Sequence, residues 1–215
     1  MKPSEYIEET SKAVQQIFDG LSFYRRILEE DPRPVHVFDA NPDDETAWKE
    51  SLERWYKEMG PEIAKSLEKQ REYSGYSFSQ ATLAGAILQI ASMGISLFSK
   101  NSEVPESCRD FVSPKSKHVK FCIGRIVSRL PIGVIVLAAR NQYNHWDDPK
   151  PHDLTVAVFD RIANASGKYT DPTFDLKNRS PNTYSHNVVS LLKWTDYDAY
   201  LADAKALFGT DAGAA

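Results

Sequence analysis

Cysteine is scarce: two residues in a chain of 215, Cys108 and Cys122, set in unlike surroundings and without the spacing of a metal-ligand pair. They suit a reducing compartment in which thiols stay free, a disulfide between them being the competing reading. A basic excess is lacking too. Lys and Arg number 26 against 30 Asp and Glu, a formal net charge of -4, so contact with nucleic acid would have to come from a local patch rather than the overall field. The opening MKPSEYIEET carries acids where a secretory signal needs a basic and then an apolar region. A cytoplasmic protein is therefore expected. There is no internal repeat, no glycine-rich phosphate loop and no convincing strand pair, VHVF and NVVSLL being the short β candidates.

What is present is an ordinary globular composition, 41% hydrophobic and 26% charged. The length suits one domain, since single cores run to about 250 residues before chains split. One run of unusual composition, Tyr73 to Ser99, carries no charge and is long enough to cross a bilayer. Its Ser77, Ser79, Gln80, Gln89, Ser92 and Ser96, and flanks without a basic bias, favour a buried core helix over a membrane span.

Helical periodicity dominates, and an all-α fold is expected. Val14, Ile17, Phe18, Leu21, Tyr24 and Leu28 form one stripe. A second helix is announced by Asn41 as cap, Pro42 in the first helical position and Asp43, Asp44 and Glu45 at the positive end of the dipole. Trp48, Leu52, Trp55 and Met59 follow on one face, Gly60-Pro61 should stop or kink the helix, and Ile63 and Leu67 are expected inward beyond it. Small residues in the uncharged run would let a neighbouring backbone approach closely. The stretch from His118 to Asp148 reads as the last main core helix, bent at Pro131. A shorter helix over PHDLTVAVFDRIANAS ends by Gly167, and a wrapped loop follows. The terminal helix runs from Thr195, its expected cap, to Phe208, with Gly209 as C-terminal cap and TDAGAA frayed. The core is placed at about 43–165 and a loop-rich extension at about 166–215.

The chemistry-bearing stretch is LAARNQYNHWDD, Leu137 to Asp148. On a helix Asn141 would lie under His145 and Arg140 under Asn144, two polar ladders ending an apolar rod. Arg140 and His145 would stand about 140° apart around the axis, within reach of one phosphate-sized target. Arginine offers a charged fork to phosphate, and histidine, with an ordinary pKa near 6.5, gives or takes a proton. Together they could cleave RNA without a metal: one activates the ribose 2′-hydroxyl or protonates the departing 5′-oxygen, the other stabilises the phosphorane. Asn141 and Asn144 would orient them. The plainer alternative is that a cation and a histidine near a helix C-terminus only complement its dipole.

The motif RNQYNH resembles the signature of the HEPN superfamily (higher eukaryotes and prokaryotes nucleotide-binding), with Arg140 matching its arginine, Asn141 the polar residue after it and His145 its histidine. The resemblance extends over an all-helical layout from about Ser77 to Ala163. It implies a helical bundle, commonly a homodimer whose two motifs face each other in a composite site. Metal-independent endoribonuclease activity of toxin, phage-defence or RNA-processing type, without a cofactor, is implied as well. An antitoxin or other protein partner would follow, although Asp147 stands where one toxin branch has a modified tyrosine. Some members are catalytically silent modules that bind a protein or nucleotide, and that reading competes.

Nearby, His145, Asp147, Asp148, His152 and Asp153 could be assembled into a metal site, but their spacing matches no established ligand pattern and Asp148-Pro149 more simply ends a helix. Trp146 is a candidate for stacking on a base or closing a contact. Arg125 and Arg129, with Lys120 behind them, are candidates for extending an RNA surface along the same helix, a solvated face being the alternative. His36, His118 and His186 are expected to be structural.

Overall fold

The computed structural model describes residues 1–29, 35, 44–177 and 184–209. It is 69% helical, an all-α bundle with seven helices among the described residues and almost no strand. The chain divides into two compact units: Met1–Leu21 with Ser79–Ala215, and Ser22–Phe78. These boundaries differ from the core placed at about 43–165.

The larger unit is built around α4 (Ile132–Asn144), whose first eight residues, Ile132 to Ala139, are all buried. A helix apolar on every side must sit inside other elements, and α4 is packed by α5 (Asp153–Ala163) and α6 (Ser185–Leu191). Within this unit α1 (Pro3–Glu29) buries Val14, Phe18 and Leu21, the stripe its periodicity sets out. The uncharged run forms α3 (Ser77–Phe98), while Tyr73 to Gly75 belong to the preceding helix. By length and composition α3 could cross a membrane, and half of its most apolar window is buried. Its glycines admit aromatic rings rather than the neighbouring backbone expected: a Cβ on Gly85 would come within 2.6 Å of the Tyr143 ring, and one on Gly94 would collide with the Phe208 ring. Helix α7 (Tyr197–Phe208) closes the core with Tyr200, Leu207 and Phe208, and Gly209 caps it at φ 77°. Its N-cap is Asp196, accepting from Ala199 N at 2.9 Å, rather than Thr195. Both cysteines are free thiols inside this core.

The expected single helix from His118 to Asp148 is not formed. A 3₁₀ turn at Lys117–Phe121 is followed by a two-stranded antiparallel hairpin, β1 (Ile126–Val127) and β2 (Leu130–Pro131), before α4 begins. Ser128 and Arg129 make the hairpin loop with φ of 48° and 65°. Two positive-φ residues between paired strands are a type I′ turn, the geometry that matches strand twist, here without its usual glycine. Pro131, placed by the sequence at a helix bend, instead ends β2 and caps α4, where its missing N–H costs nothing. NVVSLL, a β candidate, lies mostly in α6: its β-branched residues sit on a buried helix face.

In the smaller unit α2 (Glu45–Gly75) is capped by Asp44, whose Oδ1 accepts from Thr46 N and Ala47 N, both at 3.1 Å. Asn41 to Asp43, VHVF apart from Val35, and His36 lie outside the described residues. The helix runs through Gly60-Pro61 without stopping. Its stripe is only partly covered: Leu52, Trp55, Met59 and Ile63 are half-buried, Trp48 is exposed, and Leu67, expected inward, is 49% exposed.

Candidate active-site cleft

An open cleft of about 1060 Å³ lies in the larger unit. Among its lining residues are Arg140, Asn141, His145 and Trp146 from the end of α4 and just beyond, Gln89 from α3, and His152 at the start of α5. Three of the four site residues read from the motif thus share one cavity, about as large as the largest common ligand sites. Asn144 is not among the lining residues but reaches Gln89 from the same turn.

Arg140 occupies the last turn of α4, half-buried, where the apolar rod meets the cleft. Its Nε donates to Gln89 Oε1 at 2.8 Å, and Nη1 donates to Asn141 Oδ1 at 3.1 Å. Two of the five donors of the fork are so occupied, holding its plane and leaving Nη2 for a phosphate oxygen. Asn144 Nδ2 also donates to Gln89 Oε1, at 3.4 Å. One glutamine therefore fixes both the arginine and an asparagine of the motif.

His145 ends α4 as its C-cap, with φ −126° and ψ 34°, and its N–H donates to Asn141 O at 3.0 Å. Because it has left helical geometry, the 140° of the helical wheel does not describe it. Its Nδ1 lies 3.0 Å from Asp148 Oδ2. A carboxylate only accepts, so a neutral ring sharing a hydrogen across this contact would carry it on Nδ1 and leave Nε2 without one. Asp148, read as a helix terminator or metal ligand, follows the end of α4 and lies beside the histidine.

The RNA-surface residues divide. Lys120 lines the cleft, its Nζ donating to Ser96 O at 3.1 Å, and Trp146 lines it half-exposed. Arg125 and Arg129 are not brought there, because they stand on the hairpin and not on α4. The Arg125 guanidinium is forked onto Asp203, with Nε 3.0 Å from Oδ1 and Nη2 2.8 Å from Oδ2, and Nη2 also donates to Leu192 O. Trp194 Nε1 donates to the same carboxylate at 2.7 Å. That arginine ties the hairpin to α7.

His118, expected to be structural, lines the cleft beside His152, their rings 6.0 Å apart and edge to face. Burial first, then His152 and Lys117, push the His118 pKa below its ordinary value. Among the described residues no three His, Cys, Asp or Glu side chains converge to hold a metal. The cleft carries four permanent cations, Lys117, Lys120, Arg140 and Lys150, against the carboxylates of Asp147 and Asp148.

Comparison with protein-family models, with curated proteins and with solved structures found no match.

Proposed function

We propose that the chain is a metal-independent endoribonuclease of HEPN type, with Arg140 and His145 as its catalytic pair. One observation supports this most: in a chain of net charge -4, the motif residues share an open cleft in which cations outnumber carboxylates two to one. Local positive charge is what phosphate recognition requires.

In the proposed reaction His145 Nε2 takes the proton of a ribose 2′-hydroxyl, Asp148 holding the ring in the tautomer that leaves this nitrogen basic. The 2′-oxygen attacks the adjacent phosphorus, and Arg140, held flat by Gln89, stabilises the charge that builds on the phosphorane oxygens. The P–O5′ bond then breaks, leaving a 2′,3′-cyclic phosphate and a 5′-hydroxyl, the departing oxygen taking a proton from solvent water and the protonated His145 returning its own to solvent, so that the proton count closes. A second copy of the chain, its motif facing the first across a two-fold axis, would double the few groups one motif supplies. Light scattering at micromolar concentration tests that assembly, active monomer alone being the contrary result.

Substitution tests the pair. A positioned acid or base contributes about 10² to 10⁴ in rate, so His145→Ala and Arg140→Ala should each lose detectable cleavage of RNA by the purified protein. Folding should suffer little, because a cation at a helix end contributes only about 0.3 to 1 kcal/mol. Folded variants that cut as fast as the wild type would refute the assignment.

A further inference from the structure

The wall of the cleft away from Arg140 has features that the catalytic pair does not use. Thr155, in the first turn of α5, lines the cleft yet is only 1% exposed, and its Oγ1 has no hydrogen-bond partner among the described residues. Buried hydroxyls nearly always have one, and a helical threonine ordinarily finds it in the carbonyl a turn before. Helix α5 has 11 residues, and its N-cap, His152, accepts from Leu154 N at Nδ1 across 3.3 Å. The neutral His152 ring then carries its hydrogen on Nε2, a donor. His118 meets that ring edge-on at 6.0 Å, with Lys117 and Lys120 on either side of it in sequence, all lining the same cleft. Asp153, the carboxylate of that helical turn, is not among the lining residues, and Asp147 and Asp148 belong to the His145 end.

Each of these side chains can donate a hydrogen bond or carries positive charge, and a helix N-terminus adds the positive end of its dipole. We infer that Thr155, His152, His118, Lys117 and Lys120 form a second phosphate subsite, which takes the phosphodiester next to the scissile one on a bound RNA strand. The inference rests on the endoribonuclease reading for the identity of the strand, and it gives the cleft a reason to be larger than one phosphate needs. The pKa of His118 is depressed first by burial and then by His152 and Lys117, and the latter two reflect positive charge gathered on this wall.

Uncleavable 2′-O-methyl oligonucleotides test it by calorimetry, without needing turnover. A trinucleotide carries two phosphodiesters and a dinucleotide one. The wild type should bind the trinucleotide more tightly by roughly tenfold, the size of one charge-assisted hydrogen bond. Thr155→Val, which keeps the side chain's shape and removes the hydroxyl, should reduce that increment with an unchanged or raised melting temperature. Thr155→Ser should restore it. Equal binding of the two oligonucleotides by the wild type, or an undiminished increment in a folded Thr155→Val variant, would overturn the subsite. If the increment is present and reduced in Thr155→Val but cleavable RNA is never cut, the catalytic reading fails and the subsite stands.

Discussion

Substituting Gln89 by glutamate and by methionine separates what Arg140 does for the fold from what it does for the reaction. Gln89 Oε1 is the acceptor for Arg140 Nε at 2.8 Å and, more weakly, for Asn144 Nδ2 at 3.4 Å. Methionine fills similar space and removes the acceptor. A hydrogen bond to a charged group contributes about 1.5 to 3 kcal/mol, but Arg140 is only half-buried and water can replace part of it. A loss of about 1 kcal/mol is reasonable, which lowers the melting temperature of a chain this long by about 2 to 4 °C. Glutamate keeps the anchor and adds charge, and at a partly exposed site such a pair gains only about 0 to 1 kcal/mol. Gln89→Glu should therefore melt at or slightly above the wild-type temperature. Catalysis should respond in the other direction. A carboxylate against the guanidinium cancels the field that the phosphorane would feel, and removing one donor of that kind typically costs about 10² to 10³ in rate. Gln89→Met leaves the charge in place and only loosens its aim, so a smaller loss, on the order of tenfold, is expected. Thermal melts and single-turnover cleavage of a defined RNA measure both effects. If the stable Gln89→Glu variant cuts RNA at the wild-type rate, the Arg140 charge is not spent on the transition state.

Asp148→Ala should lower the cleavage rate by roughly tenfold or more, as a share of the about 10² to 10⁴ due to an oriented base. Its melting temperature should barely move, since exposed ion pairs contribute about 0 to 1 kcal/mol; an unchanged rate would remove Asp148 from the site. Arg129→Gly should stabilise the protein, because a non-glycine residue at φ 65° costs roughly 1 to 2 kcal/mol and glycine's extra unfolded-state entropy takes back only part of that. Urea unfolding that shows a loss of stability would show the type I′ turn to be misassigned. His118 has a folded-state pKa below its ordinary 6.5, so between those two values the unfolded chain binds more protons than the folded one. Its contribution is fully present above pH 6.5 and is lost as pH falls through the folded pKa. His118→Gln should flatten that part of the stability curve, and identical slopes for variant and wild type would count against the burial of the ring.

Long periodic helices were legible in the residues: the Val14, Phe18 and Leu21 stripe and the Gly209 cap follow from local rules. The stretch before α4 was not. A run such as RIVSRLPIGVIVLAAR is apolar in a way that cannot tell a buried helix from a strand, and Ser128-Arg129 lacks the glycine that marks a two-residue turn. Burial in α6 likewise overrode the β preference of NVVSLL. Within the candidate site, Arg140, Asn141 and His145 stood out because one short segment carries them and resembles the HEPN signature. Gln89 lies 51 residues before Arg140 on a different helix, and only its polarity in an uncharged run set it apart. His118, His152 and Thr155 come together through the packing of elements whose pairing no local pattern encodes.

In the proposed reaction an arginine and a histidine cut RNA unaided by a metal. Incubating the purified protein with mixed RNA in excess EDTA and determining the fragment ends tests it most directly. Undiminished cleavage with 2′,3′-cyclic phosphate and 5′-hydroxyl ends is expected, because an Arg/His site has no metal-bound nucleophile to lose. Cleavage that requires a divalent ion and leaves 5′-phosphate ends would contradict it.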